Sequence, residues 1–388
     1  MKLAVYTDYV YHRVGATVYA ERAFALFLAA LTPEVERLRL IGRLDPTGTQ
    51  AHYRMPPEVE LAALPHYASL ADPAAALRSL VRSIGHAWRA LDDIDVLWVL
   101  GPYPHAILLA AMARCRGRTV VLGVRQDWPA YVRSRRPGRR WLHRAADVME
   151  RIWRALARRY PVVAVGPELS AKYAHAPAVL DLVVSLVPDA VLERPSTARD
   201  YGSELRILSV GRLDEEKNPL LLAEVLAALR RRDPRWRMQV CGEGDLAPRL
   251  AERLRQLGLA DRADLLGYVP IDGGLFDLYR SSHMLLHVSW TEGFPQVLVE
   301  AFACGLPVVA TDVGGVREGV GPAGLLIPPG DPNAAAEALT RLATEPELRA
   351  RLIAAGARRA ASLTREAQIT RLRSFLEAAS DPSRLADG

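Results

Sequence analysis

The feature that most constrains this chain is a repeated unit of short apolar strand, loop and helix-length segment. Leu3–Thr7 reads as a buried strand and Thr17–Leu31 as the apolar-rich helix after it. Val96–Leu100, Thr119–Val124, Val162–Val165 and Val183–Val187 read as further strands, with a helix at His105–Arg114 between the first two. Strands this short and uniformly apolar need cover on both faces, which a parallel sheet between helix layers provides. The alternation lapses over Pro188–Ser203, where Pro, Ser, Asp and Arg follow neither period, and this stretch reads as an interdomain linker. It resumes at Arg206–Val210 and runs through helix Pro219–Arg231, strand Met238–Cys241, helix Pro248–Leu257, strand Ala263–Leu266 and helix Gly274–Ser281. Strand Met284–Val288, helix Pro295–Cys304, strands Pro307–Thr311 and Gly324–Ile327 and helix Asn333–Ala343 follow. The expectation is an α/β chain of two doubly wound domains, 1–187 and 204–388, joined by 188–203. The last helix, Thr364–Ala379, is a candidate to cross back onto the first domain. Ligands of such sheets sit at the carboxyl ends of strands, so chemistry is sought in the loops after them.

Composition agrees with two cores. The chain has 388 residues, 50% hydrophobic and 24% charged, enough for two soluble domains. No apolar run approaches the roughly 18 residues needed to span a bilayer, and the N-terminus enters a strand pattern at once, unlike a signal peptide. Cys115, Cys241 and Cys304 are odd in number and far apart, which reads as three buried thiols in a reducing compartment rather than a disulfide or metal framework. The net charge of +6 is uneven: residues 1–190 hold 25 Lys+Arg and 17 Asp+Glu, or +8, leaving 25 and 27, or −2, for the rest. A basic first half suggests an anionic partner: a nucleic acid, a membrane surface or a phosphate-bearing acceptor.

Four loops carry the chemistry. Gly211-Arg212-Leu213-Asp214-Glu215-Glu216-Lys217-Asn218-Pro219 joins a strand to a helix. Its glycine permits close approach to a ligand, and Arg212 and Lys217 are two cations able to meet one diphosphate. Lys217 is one of only three lysines, with Lys2 and Lys172, in a chain of 47 arginines. The second loop runs Ser289-Trp290-Thr291-Glu292-Gly293-Phe294-Pro295 into a helix holding Val297, Leu298 and Glu300. Free N–H groups at that helix start suit an anion; Glu292 suits sugar hydroxyls and Glu300 a diol such as a ribose. The third, Thr311-Asp312-Val313-Gly314-Gly315, has a glycine pair for a positive-φ turn or for close approach to a ligand. The fourth, Gly242-Glu243-Gly244, is a GxG without its third glycine. Read alone, the first is equally a solvated loop, the third equally a tight turn and the fourth weak evidence for a nucleotide; in the second, spacing alone would give two unrelated surface carboxylates, but the context of strand, Gly turn and helix favours a site.

Taken in order, Gly211–Asn218, Gly242–Gly244, Leu266–Pro270 and Glu292–Glu318 resemble the retaining glycosyltransferase family 4, the glycosyl transferases group 1. The likeness is specific over about 183–345 and diffuse before it. It implies a GT-B fold: two Rossmann-like domains facing each other across a cleft, with the donor in the second and the acceptor in the first. It further implies Arg212 and Lys217 on the donor diphosphate, Glu292 on the sugar, Glu300 on the ribose, Tyr268 and Val269 near the base, and Gly293, Phe294, Val297 and Leu298 offering backbone. It implies front-face transfer with retention from a UDP- or GDP-sugar to a hydroxyl acceptor, the nucleotide sugar being a co-substrate and no cofactor being needed. The products implied are cell-surface polysaccharide, glycolipid or another glycoconjugate. No Asp-x-Asp occurs in the donor loops, so no metal is expected.

The first domain departs from the family pattern. Its first loop, Arg13-Val14-Gly15-Ala16-Thr17, has one glycine where many relatives have two, and Arg125-Gln126-Asp127 stands where many have a histidine. Arg13, Gly15, Arg125 and Asp127 are acceptor-side candidates. His105 is an alternative polar group facing the cleft, read equally as an ordinary helix-start residue. In Arg133–Tyr160, Trp141, Ala145, Val148, Ile152 and Leu156 recur at helical spacing among arginines. That suits an anionic membrane surface or a helix packed on its own domain. The chain is therefore expected in the cytoplasm, or peripherally on the inner face of the membrane, with no nucleic acid partner. Competing readings are a nucleotide-sugar epimerase or hydrolase on the same scaffold, and a non-catalytic basic binding protein.

Overall fold

Lys2–Val14 (β1) opens a sheet that continues with Thr17–Ala20 (β2), Arg37–Asp45 (β3), Tyr53–Arg54 (β4), Glu60–Leu64 (β5), Val96–Gly101 (β6), Thr119–Val124 (β7), Val162–Val165 (β8) and Val179–Leu182 (β9). The structure is a computed structural model and describes residues 1–45, 47, 53–67, 72–135, 138–194 and 199–381. The parallel strands lie in the order β5-β3-β1-β6-β7-β8-β9. The register of β1 against β3 shifts between Tyr6 and Val10, and beyond the shift β1 turns back as an antiparallel hairpin with β2, Val14 opposite Thr17. Gly15, at φ +59°, supplies the left-handed residue of that two-residue turn. The expected helix Thr17–Leu31 is therefore strand β2 followed by a short helix, Phe24–Ala29. Thr17, Val18 and Tyr19 are β-branched or aromatic and fit a strand better than a helix.

A second, all-parallel sheet contains Leu205–Val210 (β10), Trp236–Cys241 (β11), Ala263–Gly267 (β12), Met284–His287 (β13), Val308–Thr311 (β14) and Gly324–Ile327 (β15), ordered β12-β11-β10-β13-β14-β15. The chain steps outward twice from β10, then returns to lay β13 against its other side. The gap between β10 and β13 is thus the topological switch point, where loops diverge and leave a crevice. Alternation along the strands feeds two cores. Ile207, Met284 and Leu286 face helices Leu220–Arg230 and Pro332–Thr344, while Leu208, Leu285 and Val308 face Gln296–Ala303.

The chain divides into two compact units, Met1–Val184 with the stretch from Gln368 onward, and Ser185–Ala367. The division differs from the boundaries read in the sequence. Of the stretch read as a linker, Asp189–Glu193 is a helix of the second unit, and 195–198 lie outside the described residues. Val183–Val187 is buried but is no strand. Its backbone is taken up by the helix Arg365–Ser380: Val183 N donates to Gln368 Oε1 at 3.0 Å, and Val187 O accepts from Arg365 N at 2.7 Å. The division falls inside that helix. Of the three thiols, Cys241 and Cys304 are buried and Cys115 is exposed, contrary to the sequence reading.

Helix Arg140–Ala157 is held to the first sheet by Trp153, which is fully buried and lies so close to Gly101 that a Cβ there would be 2.4 Å from Cζ2. Trp153→Ala should cost about 3–5 kcal/mol through the void it leaves. Urea unfolding of the full chain should show its first transition at clearly lower denaturant; an unchanged midpoint would mean the helix is anchored elsewhere.

Candidate functional site

The switch point of the second sheet gathers the loops after β10 and β13. Lys217 closes a 3-10 turn, Glu215–Lys217, and Asn218 follows in the left-handed region at φ +50° before helix Leu220–Arg230 begins. Trp290 N donates to Glu216 O at 2.9 Å, tying the two loops together. The Thr311 hydroxyl at the end of β14 takes both backbone groups of Ser289, each at 3.0 Å. Within this frame Lys217 Nζ pairs with Glu292 Oε1, which also accepts from Ser289 Oγ at 2.8 Å and His287 Nε2 at 3.0 Å. A carboxylate only accepts, so His287 carries its proton on Nε2. Burial pushes the Glu292 carboxyl upward, but the His287 hydrogen bond and the Lys217 charge outweigh it and hold it at about 2. All three contacts fall on Oε1. Among the described residues Oε2 makes no hydrogen bond, so it remains for a ligand.

Glycines let these loops meet backbone to backbone. A Cβ on Gly314 would lie 2.1 Å from Glu292 O, and one on Gly315 would lie 1.7 Å from Gly293 O. Gly315 N donates to Glu292 O at 3.2 Å. On the other side of the crevice a Cβ on Gly242 would lie 1.9 Å from Gly211 O, and one on Gly244 would lie 2.6 Å from Leu213 O. Leu213 N donates to Glu243 O at 2.8 Å. The Gly314–Gly315 pair and the GxG are thus needed for contact between loops of this chain, where the sequence left a tight turn and close approach to a ligand both open. Gly211 and Gly293 differ: a Cβ at either would meet nothing within 4 Å, so their backbone borders open space.

The other donor-side candidates divide. Arg212 is half exposed and bonded to Asp214 and Glu216; a ligand anion would have to compete with both. Glu300 is buried, and Tyr279 OH donates to its Oε2 at 2.6 Å. Burial raises its carboxyl above the usual range, against the pull of that hydroxyl. Tyr268 and Val269 are half-buried just past β12, next to β11 in the sheet. Phe294 and Val297 are half-buried against the core, and Leu298 is wholly inside it. Leu298 N already donates to Pro295 O at 3.3 Å, so its backbone is not open as expected. His287 and Ser289 were missed in the sequence; a histidine and a serine two apart at the end of an apolar strand were the available signal.

In the first unit His105 does not face open space. It is 2% exposed, stacked on Tyr67 with ring centres 5.3 Å apart and 3.4 Å from Ser79 Oγ. Burial, aided by the Arg43 charge, lowers it to about 4, so it is neutral. Tyr67 OH donates to Asp8 Oδ1 at 2.5 Å, and Arg43 Nη2 donates to Asp8 O at 2.7 Å. These four residues interlock at the carboxyl ends of β1, β3, β5 and β6, a cluster the sequence did not disclose. Asp127 caps a helix through Ala130 N at 3.1 Å and pairs with Lys172 at 3.0 Å, a structural task. Arg13 and Gly15 are exposed on the β1–β2 hairpin. Arg125 lies on the Phe24 ring, 3.9 Å from its centre, and burial lowers its guanidinium to about 10. Among the described residues it makes no ion pair or hydrogen bond.

With this geometry in place, residues 195–359 match the family model described as glycosyl transferases group 1. That segment belongs to the group 1 glycosyltransferase family. A D-inositol 3-phosphate glycosyltransferase of Saccharomonospora viridis is 38% identical over 38% of this chain and 36% of its own. The gpi3 subunit of phosphatidylinositol N-acetylglucosaminyltransferase from Schizosaccharomyces pombe is 35% identical over 35% of this chain and 30% of its own. The chain thus spans about a third of the length of these relatives. Likeness of fold extends further. Anabaena HepE, solved with UDP, superposes with TM-score 0.68 at 17% identity, covering 97% of this chain and 100% of its own. Sucrose-phosphate synthase from Thermosynechococcus elongatus gives 0.68 at 20%, covering 97% and 98%. The fold is of the GT-B class, two Rossmann-like units in one chain.

The depressed Glu292 in the group 1 segment sets a pH dependence. Its contribution to stability is fully present above the ordinary value of 4.5 and is lost as the pH falls through about 2. The shift corresponds to on the order of 3 kcal/mol. In Glu292→Gln the unfolding midpoint should vary less with pH across that window than in the unaltered protein. Parallel pH profiles would place the titrating group elsewhere.

Proposed function

We propose that this chain is a retaining glycosyltransferase that moves a sugar from a UDP- or GDP-sugar to a hydroxyl acceptor without a divalent metal. The observation that carries this reading is the Lys217–Glu292 pair at the switch point, with Glu292 Oε2 unbonded and the backbone of Gly211 and Gly293 bordering open space. Lys217 and Arg212 meet the diphosphate, Glu292 the sugar hydroxyls and Glu300 the ribose, with the base beside Tyr268 and Val269. In the reaction the bond from the anomeric carbon to the diphosphate oxygen breaks and its electron pair leaves with the diphosphate. The acceptor oxygen bonds to the same face of the carbon, and its proton passes to a donor phosphate oxygen. Charge grows on the leaving group, where preorganised cations lower the barrier. The name of the D-inositol 3-phosphate relatives and the UDP bound by HepE support a nucleotide-sugar donor and an anionic acceptor.

We further assign the acceptor's anion to Arg125, which is half-buried, has its Nε buried without a hydrogen-bond partner, and lacks a counter-charge among the described residues. The product belongs to cell-surface polysaccharide, glycolipid or another glycoconjugate, made in the cytoplasm or at the inner membrane face. Arg125→Gln should raise the acceptor KM about tenfold or more, the order of one charge-assisted hydrogen bond, and leave donor KM unchanged. An equal rise in both would remove Arg125 from the acceptor.

Turnover of labelled nucleotide sugars tests the reaction itself, since transfer, epimerisation and hydrolysis give different products. Activity should persist in excess chelator. Arg212→Ala and Lys217→Ala should each lower kcat/KM by about tenfold to several hundredfold, the double variant less than additively, and Lys217→Arg should restore only part. Lys217 neutralises a buried carboxylate, so Lys217→Ala should also lower the melting temperature, while Arg212→Ala, on an exposed side chain, should not. Near-normal turnover in folded Lys217→Ala, or loss in chelator restored by Mg²⁺, would overturn the assignment.

A further inference from the structure

Two helices of the first unit carry an apolar stripe on their exposed face. Helix Pro73–Ala90 packs inward through Ser79, Ser83, Ala87 and Ala90, all buried, while Leu77, Val81, Ile84 and Trp88 face outward and are 45–61% exposed. These four recur at i, i+4, i+7 and i+11, one continuous stripe. Helix Arg140–Ala157 repeats the arrangement. Ala146, Glu150, Trp153 and Ala157 are buried, and Trp141, Val148 and Ile152 are 39–49% exposed at i, i+7 and i+11, with Ala145 exposed between them. Twelve large hydrophobic side chains are exposed among the described residues, and seven of them lie on these two stripes. Such clustering is unlike the scattered single residues of an ordinary surface.

The stripes belong to one layer. The connections β5 to β6, β6 to β7 and β7 to β8 all step the same way across the sheet. Right-handed crossovers then place their helices on one face. Ala87 and Ala90, Ala106 and Leu109, and Trp153 and Ala157, one pair from each helix, accordingly share a single core with Leu97, Val99 and Leu122. The middle helix, Pro104–Cys115, exposes Ala111 and Cys115.

Charge decides what this layer fits. Pro73–Ala90 and Pro104–Cys115 contain no acidic residue, and their charges are Arg78, Arg82, Arg89 and Arg114. On Arg140–Ala157, exposed Arg144 and Arg151 border the stripe, while its two acids are engaged: Asp147 with Arg133 and Glu150 with Lys172, both at 2.6 Å. Arg135 and Arg136, within the Arg133–Tyr160 stretch singled out in the sequence, lie outside the described side chains. Among the described residues of these three helices no carboxylate is left without a cation, and apolar side chains bordered by arginines match an apolar interior under a surface of repeated phosphates better than the mixed charge of a protein face. We propose that this helix layer docks on an anionic lipid bilayer, the two stripes entering the boundary between headgroups and acyl chains and the arginines engaging lipid phosphates. No helix among the described residues is long and apolar enough to cross a membrane; the contact is interfacial. It deepens the membrane-face location proposed above but uses no donor-site residue, so either reading can fail alone.

The full chain, without donor, is sedimented with phosphatidylcholine vesicles with and without phosphatidylglycerol. It should bind only the anionic vesicles. Val81→Ser with Ile84→Ser, and separately Val148→Ser with Ile152→Ser, should each weaken binding about tenfold or more, with unchanged melting temperature because these side chains are exposed. Brominated acyl chains should quench the tryptophan emission, and Trp88→Phe with Trp141→Phe should remove most of the quenching. Three results would each overturn the proposal: no binding to anionic vesicles, binding indifferent to both serine pairs and without quenching, or a lipid-free dimer that the same substitutions disperse, which would make a second copy the occupant.

Discussion

A carboxylate buried between β10 and β13 must be neutralised, and Lys217 together with His287 and Ser289 does so. The rest of the second unit's crevice follows from this requirement. The lysine and the carboxylate are 75 residues apart in the chain, and only the return of β13 to the side of β10 brings them together. The loops carrying them must then come closer than side chains allow. Glycine at 242, 244, 314 and 315 permits that, and the Thr311 hydroxyl holds the Ser289 backbone in place. Breaking such a pair would leave an uncompensated buried charge, so it holds the two loops in one arrangement.

The first unit repeats the strand order and puts it to another use. At its own switch point, between β1 and β6, Tyr67, His105, Arg43 and Asp8 interlock and are largely buried. The corresponding place in the second unit is lined by Gly211 and Gly293, with space beside them. One topology thus yields a filled crevice and an open one. The difference lies in side-chain volume at a few strand ends, where Tyr and His stand in one unit and Gly in the other.

Much of the second unit was legible in the sequence. Its strands are short Val- and Leu-rich runs bounded by Gly, Pro or charge, and Gly324–Ile327, for example, begins and ends where the pattern says. Lys217 and Glu292 stood out because each is chemically unusual for its loop. Their partners did not, since hydrogen bonds across a crevice leave no periodic mark. The first unit was harder. β3, Arg37–Asp45, was not assigned: it alternates leucine with arginine, and the partners of those charges, Asp93 for Arg37 and Glu60 for Arg39, lie far along the chain. Pro73–Ala90 escaped for a subtler reason: its large apolar residues point outward and its small polar ones inward, so the moment that signals a helix names the wrong face. The GxG was visible but undecided, because a glycine needed by a neighbouring backbone looks the same in sequence as one needed by a ligand.

The hydrogen bond from Val183 to Gln368 joins residues 185 positions apart. Gln368, Leu372 and Leu376 are fully buried, and Arg373 pairs with Glu34 at 3.2 Å. The first unit therefore takes its last pieces from beyond the whole of the second. During synthesis, which proceeds from the N-terminus, its sheet emerges early but is left without this closing helix until the second unit has also emerged. For that interval a nascent chain carries an incomplete first unit, and a ribosome stalled before Gln368 would display one whose buried surface has nothing to close over it.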